Sequence, residues 1–215
     1  MNVLAFNGSP RKTWNTATLL NKVLEGAGSK GAETEMIHLY DLHYKGCISC
    51  FACKMRGGAS YGTCALKDDL SPFLAKIGEA DAIILGSPIY FFRVTGEMRS
   101  FMERLLFPYL EYANPWHSRF PRKINTGIIY TMNITEEEMK EVRMGYALDA
   151  NEAILKSIFG ASVSLYCYDT YQFEDYSKVV ADRINVEAKE QRRKEVFPKD
   201  CEKAYAMGVR LAEPG

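Results

Sequence analysis

Cysteine is the residue type in this sequence whose spacing points most directly to chemistry. Of the six cysteines, four lie within a stretch of eighteen residues, at Cys47, Cys50, Cys53 and Cys64. The first residues show no basic segment followed by a long apolar run, so we expect no secretory leader and a cytoplasmic protein. Thiols stay reduced in that compartment. The clustering therefore indicates metal or redox chemistry rather than a disulfide framework.

The first three cysteines have the spacing with which bacterial ferredoxins hold a cubane iron–sulfur cluster, because each short turn presents one thiolate to one iron. Ten residues separate Cys53 from Cys64, and the three glycines among them would let the chain fold back. We predict that the four clustered cysteines ligate one 4Fe–4S cluster. A four-cysteine zinc site, a redox-active thiol pair and thiols without a role are the alternatives. Cys167 and Cys201 are expected in the core.

A second candidate site is the polar segment 7–16, which follows an apolar run and precedes a helical pattern. It offers serine and threonine hydroxyls, the amide of Asn15, the cations Arg11 and Lys12, and the free N–H groups of a helix start. Phosphate suits these donors, because a helix N-terminus supplies oriented N–H groups and a partial positive charge. The segment contains neither Gly-x-Gly-x-x-Gly nor Gly-Lys-Ser/Thr. A polar turn with a helix cap is the alternative.

Three consecutive aromatic residues, Tyr90, Phe91 and Phe92, form a third candidate site after another apolar run. They are hard to bury all on one side, whereas a flat ligand could use them as stacking faces. The alternative is a hydrophobic plug before a helix capped by Thr95. The segment 130–133 adds a hydroxyl and an amide. One phosphate, one flat ring and polar contacts at the ring edge together describe FMN.

The elements that would position these residues alternate between strands and helices. The apolar runs predict five strands, at 3–6, 34–40, 82–85, 126–131 and 163–168. Helical spacing predicts helices after Thr16, after a cap at Asp68 or Asp69, after Thr95, over 136–159 and after Pro198. This alternation predicts a parallel α/β sheet with helices on both faces. Ligands of such sheets bind beyond the carboxyl ends of the strands, where the polar and aromatic segments lie.

Composition limits the classes of function. The 215 residues are 47% hydrophobic and 25% charged, and 27 basic residues balance 27 acidic ones. The zero net charge argues against a nucleic-acid or membrane-surface partner, and no apolar run approaches the roughly 18 residues of a membrane span. We expect one domain over 1–215, with a cysteine-rich loop at 45–67. The apolar segment 107–120 predicts a homo-oligomer that uses it as an interface.

The order of these motifs resembles that of a known family. The motifs that carry the resemblance to the flavodoxin-like NADPH-dependent FMN reductases are 7–11, 15–16, 86–90 and 95–98. The cysteine run followed by Asp68-Asp69-Leu70 resembles the iron–sulfur flavoproteins, whose fourth cysteine lies closer to the third, and the segment 169–178 also resembles that branch. The resemblance implies a flavodoxin-like three-layer sandwich with a five-stranded parallel sheet of order 2-1-3-4-5. It also implies bound FMN and a homodimer or homotetramer.

The resemblance further implies roles for individual residues. The FMN phosphate would be held by Ser9, Arg11, Asn15 and Thr16. The isoalloxazine ring would be lined by Pro88, Ile89, Tyr90, Phe91 and Phe92, and closed on its far side by Thr131, Met132 and Asn133. We assign no catalytic acid or base, because the flavin can be reduced without one.

The predicted function is that of a cytoplasmic FMN-binding oxidoreductase. Electrons would pass from NAD(P)H as a transient co-substrate, or from a reduced protein donor, through FMN and, where it is present, the cluster. The acceptor would be a quinone, a flavin or another oxidant. The alternative is a flavodoxin-like electron carrier without a small-molecule substrate of its own. Flavodoxins are usually strongly acidic, and the zero net charge weighs against that alternative.

Overall fold

The computed structural model describes residues 1–213 as a six-stranded sheet with helices on both faces. The strands are β1 (Asn2–Asn7), β2 (Glu33–His38), β3 (Ala82–Tyr90), β4 (Arg93–Val94), β5 (Ile124–Thr131) and β6 (Gly160–Cys167). The five parallel strands have the order β2-β1-β3-β5-β6, and the short β4 pairs antiparallel with the end of β3. Counted without β4, this is the predicted order 2-1-3-4-5. A strand as short as β4 leaves no alternating pattern in the sequence.

Seven helices complete the layers within the described residues. They are α1 (Asn15–Gly28), α2 (Ser71–Glu79), α3 (Gly96–Leu106), α4 (Glu136–Glu141), α5 (Gly145–Phe159), α6 (Val186–Glu195) and α7 (Phe197–Leu211). One hydrophobic cluster lies between the sheet and α2, α3 and α5, and a second lies between the sheet and α1 and α7. The predicted three-layer sandwich is confirmed. None of the helices within residues 1–213 is both long enough and apolar enough to cross a bilayer.

The third strand continues beyond Leu85, where we predicted its end. β1 ends at Asn7, which pairs with Gly86, so beyond that point β3 keeps a parallel neighbour only on the β5 side. Pro88 lies in this last part of the strand, opposite Thr131. A proline, which has no N–H to donate, is tolerated where the ladder on one side has ended. The continuation carries the aromatic residues out to the edge of the sheet.

Two helix predictions were wrong. The predicted helix over 136–159 is divided into α4 and α5, and Arg143 between them has a φ of 52°, which is not helical. The helix α6 was missed, because its residues are almost all polar and form no apolar stripe.

Two glycines let α1 and α7 pack with their backbones almost in contact. A Cβ atom on Gly208 would lie 1.9 Å from the carbonyl oxygen of Val23, and one on Gly26 would lie 2.1 Å from that of Tyr205. Distances this short exclude any side chain at either glycine. The close packing fixes α7 against the helix that follows the first polar segment.

Candidate functional site

The strand register brings the predicted polar and aromatic segments to one edge of the sheet. Asn7 at the end of β1 pairs with Gly86 of β3, and Pro88 pairs with Thr131 at the end of β5. Two hydrogen bonds join the segments that leave these strands. The Thr95 hydroxyl donates to the Gly8 carbonyl at 2.7 Å, and the hydroxyls of Thr16 and Thr131 share a hydrogen bond of 2.8 Å. Segments far apart in sequence therefore form one site.

The segment 7–16, which we call the phosphate loop, is shaped by its own side chains. The amide N–H of Ser9 donates to Asn7 Oδ1 at 3.0 Å, and that of Arg11 donates to Ser9 Oγ at 3.1 Å. Within the described chain, Trp14 as N-cap residue gives the start of α1 no side-chain hydrogen bond. The first N–H groups of a helix have no intrahelical acceptor, so they remain suited to an anion.

The phosphate loop is covered by the segment 169–178, which resembles a segment of the iron–sulfur flavoproteins but was not predicted to be part of the site. Asn15 Nδ2 donates to the Tyr171 carbonyl at 2.7 Å, and Trp14 Nε1 donates to the same oxygen at 3.1 Å. Arg11 also donates to the Gln172 carbonyl. These contacts bring the segment after β6 onto the start of α1, and they engage two of the side chains predicted to hold phosphate.

Arg193 reaches the same loop and was not predicted. Its guanidinium donates from Nη1 to Asn15 Oδ1 at 2.8 Å and stacks on the Phe197 ring, with 4.1 Å between Cζ and the ring centroid. It lies on α6, which the sequence pattern did not reveal as a helix. A run of basic residues at 192–194 was the available signal, but only the tertiary structure shows which of them faces the loop.

The aromatic run forms a tight and strained turn between β3 and β4. Phe91 and Phe92 lie between the paired residues Tyr90 and Arg93, and their φ angles are 48° and 66°. Two-residue turns of this kind normally use asparagine and glycine, since left-handed backbone costs other residues roughly 1–2 kcal/mol each. Phe91 is 98% exposed, and its two aromatic neighbours are also exposed. The run is therefore not the hydrophobic plug considered as the alternative.

On the far side of this edge, the end of β5 is held by a buried lysine that was not predicted. Lys189 of α6 forms an ion pair with Asp169 and donates to the Asn133 carbonyl at 3.3 Å. Met132 is buried. The Asn133 Oδ1 atom is also buried, and it has no hydrogen-bond partner within residues 1–213. A buried amide oxygen of this kind needs a hydrogen-bond donor, and residues 1–213 do not supply one.

The four clustered cysteines line a single small cavity between the cysteine-rich loop and α3. Its lining includes Cys47, Cys50, Cys53 and Cys64 together with Phe51, Glu103, Arg104, Phe107 and Pro108. The Gly62 N–H donates to the Cys53 carbonyl at 2.9 Å, which closes the long gap before the fourth cysteine. Gly62 has a φ of 79°, a left-handed conformation that suits glycine. The gap thus folds back, as its glycines predicted.

The segment within the gap is fastened to the segment 107–120. Tyr61 donates to a Glu111 carboxylate oxygen at 2.6 Å, and the Arg119 guanidinium lies 3.9 Å from the centroid of the Tyr61 ring. Lys54 donates to the carbonyls of Phe107 and Leu110. Burial lowers the pKa of Lys54, and the nearby cysteines and Glu111 oppose that shift. These bonds fix the gap against the segment 107–120.

Arg104 of α3 reaches the same cavity, and its partner Asp68 corrects a prediction. We expected Asp68 or Asp69 to cap α2, but the N-cap position belongs to Leu70, and Asp68 forms a two-point ion pair with Arg104 at 2.7 and 3.2 Å. Burial by itself raises the pKa of Asp68, but the hydrogen bonds and charge of Arg104 outweigh it, so the pKa lies below its usual range. A buried guanidinium needs this compensation.

Metal-site geometry differs between a single ion and a cluster. Within residues 1–213, no three side chains of cysteine, histidine, aspartate or glutamate converge closely enough to hold one metal ion. A zinc ion needs its four ligands around one point, whereas a cubane distributes its four thiolates over four irons. Four thiols that line one cavity are the donor set that a cubane uses.

Part of the apolar segment 107–120 packs in the hydrophobic core. The rings of Tyr109 and Phe120 pack edge to face at 5.0 Å, and Phe120 packs on Phe159 of α5 at 4.7 Å. Tyr112 and Trp116 remain 75% and 46% exposed. Packing in the core thus accounts for some of the apolar character that we assigned to a subunit interface.

Comparison with known proteins identifies one family along the first half of the chain. The family described as "NADPH-dependent FMN reductase" matches residues 1–120. An iron–sulfur flavoprotein of Methanocaldococcus jannaschii is 40% identical over 104 residues, which are 48% of this chain and 51% of the relative. An iron–sulfur flavoprotein of Archaeoglobus fulgidus is 43% identical over 104 residues, 48% of each chain. The match thus spans about half the length of these relatives.

Solved structures resemble the chain over nearly its whole length. An NAD(P)H:quinone oxidoreductase from Methanothermobacter marburgensis superposes with a TM-score of 0.72 at 15% identity and covers 98% of each chain. An azoreductase from Bacillus anthracis superposes with a TM-score of 0.69 at 12% identity, covering 98% of this chain and 99% of that one. At such low identity the likeness establishes the fold alone.

Proposed function

Because the chain belongs to the NADPH-dependent FMN reductase family, we propose that it is an FMN-dependent oxidoreductase. Its electrons come from NAD(P)H or a reduced protein donor and pass to a quinone, a flavin or another acceptor. It acts in the cytoplasm. The observation that carries this proposal is the convergence of the phosphate loop, the aromatic turn and the end of β5 at one edge of the sheet.

The residues at this edge fit FMN. The start of α1, with Ser9, Arg11, Asn15 and Thr16, would hold the phosphate, and Arg193 brings a second guanidinium to the loop. The ring would lie along 88–92, with 131–133 on its far side. The buried Asn133 Oδ1, which has no partner within residues 1–213, would accept a hydrogen bond from a ring N–H.

At such a site, the chemistry of the cofactor determines which steps the flavin performs and which the protein performs. Bound FMN supplies hydride and single-electron transfer. The chain binds the phosphate through oriented N–H groups, orients the ring along the end of β3 and keeps water from its buried side. No proton transfer by a side chain is required, so we assign no catalytic acid or base.

We also propose that the cysteine cavity holds a 4Fe–4S cluster. All four clustered thiols line it, and the buried guanidinium of Arg104 offsets part of the negative charge that four thiolates would bring. The names of the relatives agree with this proposal. The cluster would give the chain a one-electron site in addition to the flavin.

The first test is the cofactor content of protein purified without oxygen. We expect one FMN and about four irons per chain, with resolved flavin bands above broad cluster absorbance. Replacement of Cys50 by serine should remove most of the iron and leave the flavin. Full flavin without iron in the parent protein would overturn the cluster proposal alone, whereas protein that binds no added FMN would overturn the flavin proposal.

The second test separates an enzyme from an electron carrier. With FMN bound, a reductase should oxidise NADPH through many turnovers when a quinone is supplied, and the rate should saturate with both substrates. A carrier would show a single stoichiometric reduction by NADPH or none, and would turn over only with a reduced protein donor. Protein freed of FMN is the control for both measurements.

A further inference from the structure

Arg104 is a charged side chain buried in a place where neither the fold nor the flavin edge requires one. Its side chain is 0% exposed, although it carries a full positive charge on α3. Taking a guanidinium out of water is costly unless its donors are met by acceptors. Two of those acceptors are the carboxylate oxygens of Asp68, and a third is the Lys45 carbonyl at 2.9 Å.

The fourth acceptor is a sulfur atom. Arg104 Nε donates to Cys64 Sγ at 2.8 Å. A neutral thiol is a weak acceptor, whereas a thiolate accepts a charge-assisted hydrogen bond. The guanidinium is therefore oriented toward an atom that would be a strong acceptor as an iron-bound thiolate.

These contacts join the two ends of the cysteine-rich loop. Lys45 lies two residues before the first clustered cysteine, while Cys64 and Asp68 lie at the other end of the loop. One side chain on α3 thus bonds to both ends of the loop. The first three cysteines lie in short turns and need less support.

We propose that Arg104 is a positioning residue for the iron–sulfur cluster: it fixes Cys64 as the fourth ligand and raises the reduction potential of the cluster through its hydrogen bond to that sulfur. The inference rests on the cluster of the proposed function and goes beyond it by naming the residue that tunes the potential. Hydrogen bonds to the sulfurs and nearby positive charge stabilise the reduced, more negative cluster. Asp68 opposes this effect in part, because its charge is negative.

This arrangement predicts effects of opposite sign for the two partners. Replacement of Arg104 by methionine removes the donor and the positive charge, so the midpoint potential should become more negative and iron should be lost several-fold faster in air. Replacement of Asp68 by asparagine keeps an oxygen for Arg104 and removes a negative charge, so the midpoint potential should become more positive. Arg104→Lys keeps the positive charge but loses the planar guanidinium that bonds two acceptors at once. Its midpoint potential should therefore lie between those of Arg104→Met and the parent.

The experiment is a redox titration of the cluster by electron paramagnetic resonance on FMN-loaded protein purified without oxygen, with iron, acid-labile sulfide and FMN assayed on the same samples. Lys76→Met is the matched control, since Lys76 is an exposed cation of α2 that pairs with Glu35 of β2, and its loss should leave the potential and iron content unchanged. Should Arg104→Met fail to fold, Arg104→Lys and Asp68→Asn still carry the test.

Three results overturn the inference. Equal midpoint potentials in the parent, Arg104→Lys and Asp68→Asn would exclude a tuning role. Shifts of the same sign in the arginine and aspartate variants would indicate a purely structural role. A parent with full FMN and no iron would contradict the cluster proposal and this inference with it, whereas the first two results leave the cluster itself in place.

Discussion

At the level of single residues, the phosphate loop depends on a cation from a distant part of the chain. Arg193 is 178 positions from Asn15, yet its guanidinium donates to the Asn15 amide oxygen at 2.8 Å. Its stacking on Phe197 limits the freedom of the side chain, so less entropy is lost when it binds an anion. We therefore expect Arg193 to contribute to phosphate affinity as well as to the position of Asn15.

Replacement of Arg193 by methionine should weaken FMN binding by about tenfold to a hundredfold, since a hydrogen bond to a charged group contributes about 1.5–3 kcal/mol. Titration of the FMN-free protein with FMN, followed by flavin fluorescence, measures the change. Lys194→Met is the matched control, because Lys194 is the next residue of α6 and is exposed. Equal dissociation constants for both variants and the parent would contradict the role of Arg193.

At the level of elements, the turn between β3 and β4 keeps two phenylalanines in an unfavourable backbone conformation. Such strain persists where function requires it, and it is concentrated at ligand sites. The exposed rings of Phe91 and Phe92 leave no core packing to explain their presence. We relate them to the flavin ring, which would lie against this edge.

The variant Phe91→Asn/Phe92→Gly installs the residues that a two-residue turn prefers. Its free energy of unfolding should rise by about 1 kcal/mol, because left-handed backbone then costs less. Its affinity for FMN should fall, because the ring loses its aromatic neighbours. Tyr146→Ser, which removes an exposed aromatic ring from α5, is the control. A gain in stability with unchanged FMN affinity would show that the strained turn does not contact the flavin.

The packing of α1 on α7 gives a second test at this level. Gly208→Ala should lower the free energy of unfolding by about 1–3 kcal/mol or more, because the new Cβ would collide with the Val23 carbonyl. Gly28→Ala should be neutral or slightly stabilising, since a Cβ at Gly28 meets no atom of the described chain within 4 Å. Chemical denaturation of both variants measures the difference. Similar losses for the two would contradict the packing argument.

For the whole molecule, the remaining exposed aromatics of the segment 107–120 bear on assembly. Tyr112 and Trp116 are exposed on the segment whose Glu111 accepts a hydrogen bond from Tyr61. Aromatic residues are enriched in subunit interfaces. We therefore keep the proposal of a homodimer or homotetramer. Within the segment 107–120, we expect Tyr112 and Trp116 to contribute to the interface, rather than the whole segment.

Light scattering at micromolar concentration should give a mass of two or four chains of 24.3 kDa. Replacement of Tyr112 and Trp116 by serine and glutamine should shift the mass toward that of a single chain, because the interface would lose its aromatic contacts. The Tyr146→Ser variant is again the control for an exposed aromatic ring. A parent mass near 24.3 kDa would refute the assembly.

Periodicity and turn residues determined the sheet of this protein. The apolar runs of the three central strands, β1, β3 and β5, are buried on both faces, so each reads as a strand from sequence alone. The edge strands β2 and β6 are only partly buried. The polar segments after the strands mark the ligand edge. The helix α6 and the strand β4 could not be predicted, since one lacks an apolar stripe and the other is only two residues long. Local sequence also concealed the break between α4 and α5.

The sequence by itself also determined which residue types could bind a phosphate, a ring and a cluster. Only the tertiary structure decided which charged side chains lie next to those residues. Arg193, Lys189 and Arg104 lie on helices, and nothing in their local spacing shows that each points inward. A cation can be buried where acceptors from other parts of the chain form hydrogen bonds with it, as Asp68 does with Arg104. Those long-range pairings depend on three-dimensional packing, and no short stretch of sequence contains them.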